Sequence, residues 1–151
     1  MKSYALIIML VCSFSIAARA TPFNNFSGQY EATAVQCSDS YHPNEVLSLS
    51  TLSTIVISET SSANEVKIEL LGREYSHAFI YAEFGMFNSK FFGDGKSSAG
   101  WSQEVPLSGY LYKIAIHKKN SQYSFSINKS YKDPNEYIDQ DVKCLFELRK
   151  L

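Results

Sequence analysis

The sequence lacks an excess of positive charge. Lysine and arginine together number 14 and aspartate and glutamate 15, so the formal net charge is −1. A protein that binds nucleic acid or an anionic membrane surface needs a basic face to neutralise phosphate groups. The composition therefore argues against both kinds of partner.

Patterns that bind metals or carry out covalent catalysis are also missing. The three histidines, His42, His77 and His117, lie in different segments without the close spacing of metal ligands. No serine stands in a Gly-x-Ser-x-Gly sequence. We therefore expect no metal, no cofactor and no catalytic residue, and an enzyme is the least favoured class of function.

The apolar run at the start of the chain is too short to cross a bilayer as a helix. It extends from Tyr4 to Ala18, fifteen residues, where about 20 are needed. Lys2 precedes it, and Ala18-Arg19-Ala20 provides the small residues that signal peptidase requires. We expect residues 1–20 to be a signal peptide cleaved after Ala20. Residues 21–151 would then form a single monomeric domain without a membrane span, secreted or periplasmic.

Cysteine is scarce, with three in the chain. Cys12 falls in the predicted signal peptide, which leaves Cys37 and Cys144 in a compartment where thiols oxidise. We predict a disulfide between these two, and the alternative is a pair of buried free thiols. A bond that closes so long a loop stabilises the fold by up to about 4.7 kcal/mol in the chain-entropy model.

Apolar and polar residues alternate in several short segments, which is typical of antiparallel strands with one buried face. Between residues 75 and 92 aromatic residues occupy both faces, and we predict two strands broken near residues 85–88. Glycine and serine in residues 93–100 predict a hairpin loop, and residues 133–136 match a capped helical turn. The other predicted strands are residues 28–37, 46–59, 65–71, 110–118, 122–129 and 142–150.

These segments predict an all-β fold, an antiparallel meander of about eight strands. Cys37 ends the first strand and Cys144 begins the last, so their bond would join two strands that pair antiparallel and close the meander into a barrel. A two-sheet β-sandwich is the alternative. Cys37 shares its side of the strand with Val35 rather than with Tyr30, which predicts either a β-bulge between them or a cysteine just beyond the end of the strand.

Aromatic content is the feature that points to a function. Phenylalanine and tyrosine supply 18 of residues 21–151, and a barrel of about eight strands is wide enough to hold one small ligand. We therefore predict a small exported barrel that binds a small apolar or aromatic ligand. The candidate lining residues are Tyr30, Phe79, Tyr81, Phe84 and Tyr112.

Two other interpretations stay open at this stage. The aromatic rings can simply fill the interior of the barrel. The protein can also be a secreted interaction module, an inhibitor or an envelope structural component, that contacts a protein partner through loops such as residues 92–101. Neither interpretation changes the predicted fold.

Overall fold

The computed structural model describes residues 21–39, 43–105, 109–132 and 139–151. The predicted signal peptide, His42 and the predicted helical turn at 133–136 lie outside these ranges. The described part contains one α-helix, α1 (Pro43–Ser50), and two single-turn 3-10 helices (Asn24–Phe26 and Gly85–Phe87). Its strands are β1 (Gly28–Asp39), β2 (Leu52–Glu59), β3 (Glu65–Gly72), β4 (Ser76–Ala82), β5 (Lys90–Phe92), β6 (Ser98–Val105), β7 (Tyr110–Lys119), β8 (Gln122–Lys132) and β9 (Asp139–Lys150).

All of these strands belong to one antiparallel sheet that curls into a nearly closed barrel. Its order is β4-β3-β2-β1-β9-β8-β7-β6-β5, so the first and last strands pair at the centre of the sheet. The predicted all-β barrel and the predicted β1–β9 pairing are therefore confirmed. Inward positions carry the apolar residues, as in Ile114 and Ile116 of β7 and Phe125 and Ile127 of β8.

The two end strands of the sheet are not paired with each other among the described residues, so the barrel is not completely closed. Every hydrogen-bonded neighbour in the sheet is antiparallel, which leaves the two end strands, β4 and β5, pointing in the same direction. The chain between them cannot form a simple hairpin, and it makes one isolated bridge, Phe84 with Ser89. We call this gap between β4 and the β5–β6 pair the seam.

The ninth strand was missed by the sequence prediction, which counted about eight. It is β6 (Ser98–Val105), the first residues of which were assigned to the loop at 93–100. Small residues obscure its pattern, since Ala99 and Gly100 are both buried. Only glycine fits at position 100, because the ring of Phe92 lies against Gly100 and a Cβ there would be 2.1 Å from the ring.

The prediction of one long strand over residues 46–59 was wrong in its first half. Residues up to Ser50 form α1, and β2 begins at Leu52. Leu47 and Leu49 alternate as in a strand, but the residues that pack on the core are Val46 and Leu49, three positions apart as on a helix face. Leu47 is 60% exposed.

The predicted disulfide is present and lies where the sequence placed it. Cys37 of β1 is directly opposite Cys144 of β9, and a bond joins their sulfur atoms. The pairing register of these strands shifts between Ala34 and Gln36, so the predicted bulge is also confirmed. The bulge turns Cys37 to the side of the strand from which it reaches Cys144.

The two ends of the barrel differ in how they are filled. At one end, residues 21–27 insert Phe23 and Phe26 among the strands, where the side chains are 0% and 1% exposed. Tyr30 packs there on Tyr123, with ring centroids 5.5 Å apart, and donates a 2.6 Å hydrogen bond to the carbonyl of Phe26. We call this the filled end. At the opposite end, α1 lies against β1 and β9, and we call it the cavity end.

Candidate functional site

A cavity of about 510 Å³ extends from the cavity end of the barrel to the seam. It is the size of a pocket for a small organic molecule. Strands on both sides of the seam and the helix α1 contribute to its wall, and none of the described lining residues is acidic. The lining residues are Leu49, Tyr75, Phe79, Ile80, Tyr81, Ala82, Phe84, Ser89, Trp101, Gln103, Tyr110, Tyr112, Ile127, Lys129 and Val142.

A row of aromatic rings follows the inner face of β4 and the residue before it. Tyr75, His77, Phe79 and Tyr81 occupy alternate positions, and successive ring centroids lie 4.5, 5.9 and 5.8 Å apart. Because strand side chains alternate between faces, this spacing places all four rings on one side of β4. Three of them line the cavity, and His77 is exposed beside them.

The row continues across the seam to Trp101 of β6 and Tyr112 of β7. The ring of Tyr81 lies 4.7 Å from that of Trp101 and 6.3 Å from that of Tyr112. Trp101 donates a hydrogen bond of 2.9 Å from its indole nitrogen to the carbonyl of Ala82. Side chains therefore hold the two sides of the seam together where backbone pairing is missing.

The hydroxyl groups of Tyr81 and Tyr112 share a hydrogen bond of 3.2 Å across the cavity. Burial, together with the neighbouring hydroxyl of Tyr112, raises the pKa of Tyr81 well above its ordinary value. Tyr81 therefore stays neutral at physiological pH. An uncharged hydroxyl pair among rings suits a ligand that is mostly apolar and has few polar atoms.

The cavity reaches the outside around the free edge of β4. Ile80 and Phe79 point to opposite faces of this strand, yet both border the cavity. Ile80 is 65% exposed, and Phe84, just beyond the strand, is 57% exposed. The seam is therefore an opening in the side of the barrel with apolar residues along its outer edge.

Four of the five lining residues predicted from the sequence border this cavity: Phe79, Tyr81, Phe84 and Tyr112. The structure places the fifth, Tyr30, in the filled end, where its side chain is fully buried. Sequence reasoning missed Trp101, a buried ring that connects the two sides of the seam. Its strand has no clear alternation, so only its being the single tryptophan of the chain could have drawn attention to it.

The loop considered as an interaction surface uses its polar groups within the molecule. The carboxylate of Asp94 accepts hydrogen bonds from the backbone N–H groups of Lys96, Ser97 and Ser98, at 2.8–2.9 Å. A hydrogen bond from the Ser97 hydroxyl, together with these backbone bonds, holds the pKa of the Asp94 carboxylate well below its usual range. Asn25 donates to the carbonyl of Gly95 and so ties the loop to residues 21–27.

The described residues contain no group of three or more His, Cys, Asp or Glu side chains placed to share a metal ion. No helix among them has the length and apolar character to cross a membrane.

Similarity to known proteins is found among solved structures and not among sequences. No family model matches the sequence, and no curated protein is significantly similar to it. Among solved structures, the chain is similar to apo lipid binding protein 8 of Caenorhabditis elegans, with 9% identity and a TM-score of 0.48. The similarity covers 84% of this chain and 96% of that one.

Proposed function

We propose that this protein binds one small, largely apolar ligand in the aromatic cavity. The observation that supports this proposal is that aromatic rings from β4, β6 and β7 converge at the cavity end and border an open-sided space of about 510 Å³. Rings that served only as core would be expected to pack until no such space remained, because protein interiors are as dense as organic crystals. At the filled end of the same barrel, by contrast, the rings of Phe23, Phe26 and Tyr30 are at most 1% exposed.

The chemistry of the lining defines the class of ligand. Burying apolar surface stabilises a complex by roughly 25 cal/mol per Å², and flat rings add the edge-to-face and offset contacts that aromatic groups favour. Tyr81, Tyr112 and Gln103 supply polar atoms that can orient a ligand hydroxyl, carbonyl or amide, and Lys129 adds one cationic side chain to the wall. A ring-bearing molecule with one or two polar atoms fits these features.

Binding would take place outside the reducing cytoplasm. The disulfide between Cys37 and Cys144 supports this part of the proposal, since such bonds form and persist in oxidising compartments. The first twenty residues have the pattern of a signal peptide. We infer an exported ligand carrier or ligand sensor that acts as a monomer.

Fluorescence of Trp101 tests the proposal directly, because it is the only tryptophan and it borders the cavity. The purified, disulfide-bonded protein would be titrated with N-phenyl-1-naphthylamine, an uncharged lipophilic fluorophore. We expect saturable quenching of the tryptophan, energy transfer to the probe and a raised melting temperature. A lack of saturable binding across this probe and smaller apolar aromatics would contradict the proposal.

A matched pair of variants locates the binding. Phe79→Ala and Tyr123→Ala each remove a partly buried ring, one bordering the cavity and one packed at the filled end. We expect Phe79→Ala to weaken binding of the probe about tenfold and Tyr123→Ala to leave the affinity within about twofold. Equal losses in the two variants would place the probe elsewhere.

A further inference from the structure

Three polar side chains stand next to one another on one wall of the aromatic cavity. Gln103 of β6 is directly opposite Tyr112 of β7, which is directly opposite Lys129 of β8. Residues opposite each other on one face of an antiparallel sheet have Cβ atoms about 5 Å apart. All three residues line the cavity, and we call them the polar row.

Lys129 brings a positive charge to an inward position of its strand. Phe125 and Ile127 precede it at alternate positions of β8 and are buried on the inner face, and side chains two residues apart in a strand point to the same face. Val142, its neighbour on β9, is buried as well. Among the described lining residues of the cavity, Lys129 alone is cationic and none is acidic.

The hydroxyl groups of Tyr81 and Tyr112 add hydrogen-bond donors beside the lysine. Burial raises the pKa of Tyr81, so this residue keeps its proton. The hydrogen bond of 3.2 Å between the two hydroxyls uses one of their two protons and leaves the other to be donated elsewhere. The amide of Gln103 carries two further N–H donors. A carboxylate, which only accepts hydrogen bonds, matches this set of groups.

The rest of the cavity wall suits an apolar group. Leu49 of α1 and Phe79 of β4 border the same space, and Ile80 and Phe84 lie at its opening along the seam. The cavity of about 510 Å³ is much larger than one carboxylate. A ligand that fills it therefore needs an apolar part as well as a charged head.

The attraction of the lysine has to exceed the cost of removing a carboxylate from water. In a closed apolar core this cost often exceeds the gain from an ion pair, but the cavity opens at the seam and Lys129 is only partly buried. Hydrogen bonds that involve a charged group are about twice as strong as neutral ones. These conditions favour an anion over a neutral analogue of the same shape.

We propose that the ligand of the aromatic cavity is a monocarboxylate with an apolar ring or chain, and that Lys129 binds its carboxylate. Tyr112 and Gln103 donate hydrogen bonds to the carboxylate oxygens, and the apolar part lies against Leu49 and Phe79. This inference rests on the function proposed above and adds the charge and the chemical class of the ligand.

Three naphthalene compounds that share a ring and differ in charge test the inference. They are the anion 1-naphthylacetate, the neutral 1-naphthylacetamide and the cation 2-(1-naphthyl)ethylamine. Calorimetry with the disulfide-bonded protein measures each affinity, and the indole N–H resonance of Trp101, which borders the cavity, shows whether each compound binds there. We expect the anion to bind about tenfold more tightly than the amide, and the cation to bind most weakly.

Matched lysine variants separate a specific contact from general attraction to positive charge. Lys113 follows Tyr112 in β7 and points to the outer face, where its ammonium lies 4.6 Å from the centre of the Phe92 ring. Lys129→Gln should weaken binding of the anion about tenfold and that of the amide less than about twofold. Lys113→Gln removes the same charge and should leave both affinities unchanged, and Lys129→Arg should retain the preference for the anion.

The outcomes distinguish this inference from the proposed function. Equal affinities of the anion and the amide would overturn the inference and leave an apolar ligand site intact, whereas no binding of any compound at Trp101 would overturn both. Equal weakening by Lys113→Gln and Lys129→Gln would show attraction to net charge alone. A lowered melting temperature of Lys129→Gln with an unchanged preference for the anion would show that Lys129 only covers the wall of the cavity.

Discussion

The two ends of the barrel are built from the same types of residue, but their aromatic rings are buried to different degrees. At the filled end, the rings of Phe26, Tyr30 and Phe125 are at most 1% exposed. At the cavity end, Phe79 and Tyr112 are only partly buried and border open space. Residues 21–27 add two further rings to the first end, whereas α1 contributes mainly Leu49 to the second. A cavity persists where no segment of the described chain fills the space between rings.

The largest expected difference between the ends is in the cost of removing a ring. Phe125→Ala should lower the free energy of unfolding by about 3–5 kcal/mol, because it empties a fully buried site. Phe79→Ala should cost less than about 2 kcal/mol, because part of its ring already faces open space. Urea unfolding of the two variants measures both values, and equal losses would show that the cavity end is packed as tightly as the other.

Loss of the disulfide should act first on the cavity end, where Cys37 and Cys144 lie. Replacing both cysteines with alanine should lower the free energy of unfolding by about 2–4 kcal/mol, because the bond spans 107 residues. In this double variant, native-state hydrogen exchange should become faster by a larger factor at the backbone amides of residues 142 and 144 than at those of Tyr30 and Ala32. Uniform quickening along β1 and β9 would mean that the two ends unfold as one unit.

Alkaline pH should reveal the buried tyrosine of the filled end. Burial, with a smaller effect of Tyr123, raises the pKa of Tyr30 to about 12, and an unfolded tyrosine has a pKa of about 10. The stabilisation is therefore complete below pH 10 and is lost as the pH rises towards 12, since the unfolded state releases its proton first.

The variant Tyr30→Phe isolates this contribution. At neutral pH it should cost about 1–2 kcal/mol, because the hydrogen bond to the Phe26 carbonyl is lost. Between pH 10 and 12 its free energy of unfolding should fall less steeply than that of the unchanged protein. Tyr81→Phe makes the same comparison at the cavity end, where burial also raises the tyrosine pKa. A slope unaffected by Tyr30→Phe would contradict the assignment.

Local alternation predicted most strands but not their number. The β7–β8 hairpin was readable because Ile114, Ile116, Phe125 and Ile127 keep strict alternation on both sides of a short turn. β6 could not be recognised from the sequence, because it has a glycine where a larger residue would complete the alternation. The ring of Phe92, from another strand, occupies the space of a side chain at Gly100. The missed strand matters because β6 and its partner β5 form one side of the seam.

The candidate site was also predictable in part, because some of its residues belong to a recognisable local sequence pattern. The excess of rings between residues 75 and 92 was visible in the sequence, and Phe79 and Tyr81 followed from it. Tyr30 is an aromatic residue at an inward position of β1, as expected for a lining residue, yet residues 21–27 cover it. The helix start at Pro43, Asn44 and Glu45 carries recognisable signals, but the Leu47–Leu49 alternation after it resembles a strand equally well.

The sequence by itself determined the inner face of most strands, the pairing of Cys37 with Cys144 and the bulge that makes it possible, because each depends on period-two alternation or on the number of cysteines. Tertiary structure decided which aromatic rings are fully buried, where the seam opens, and that Trp101 borders the cavity. These features depend on contacts between residues far apart in the chain, and no local pattern records such contacts.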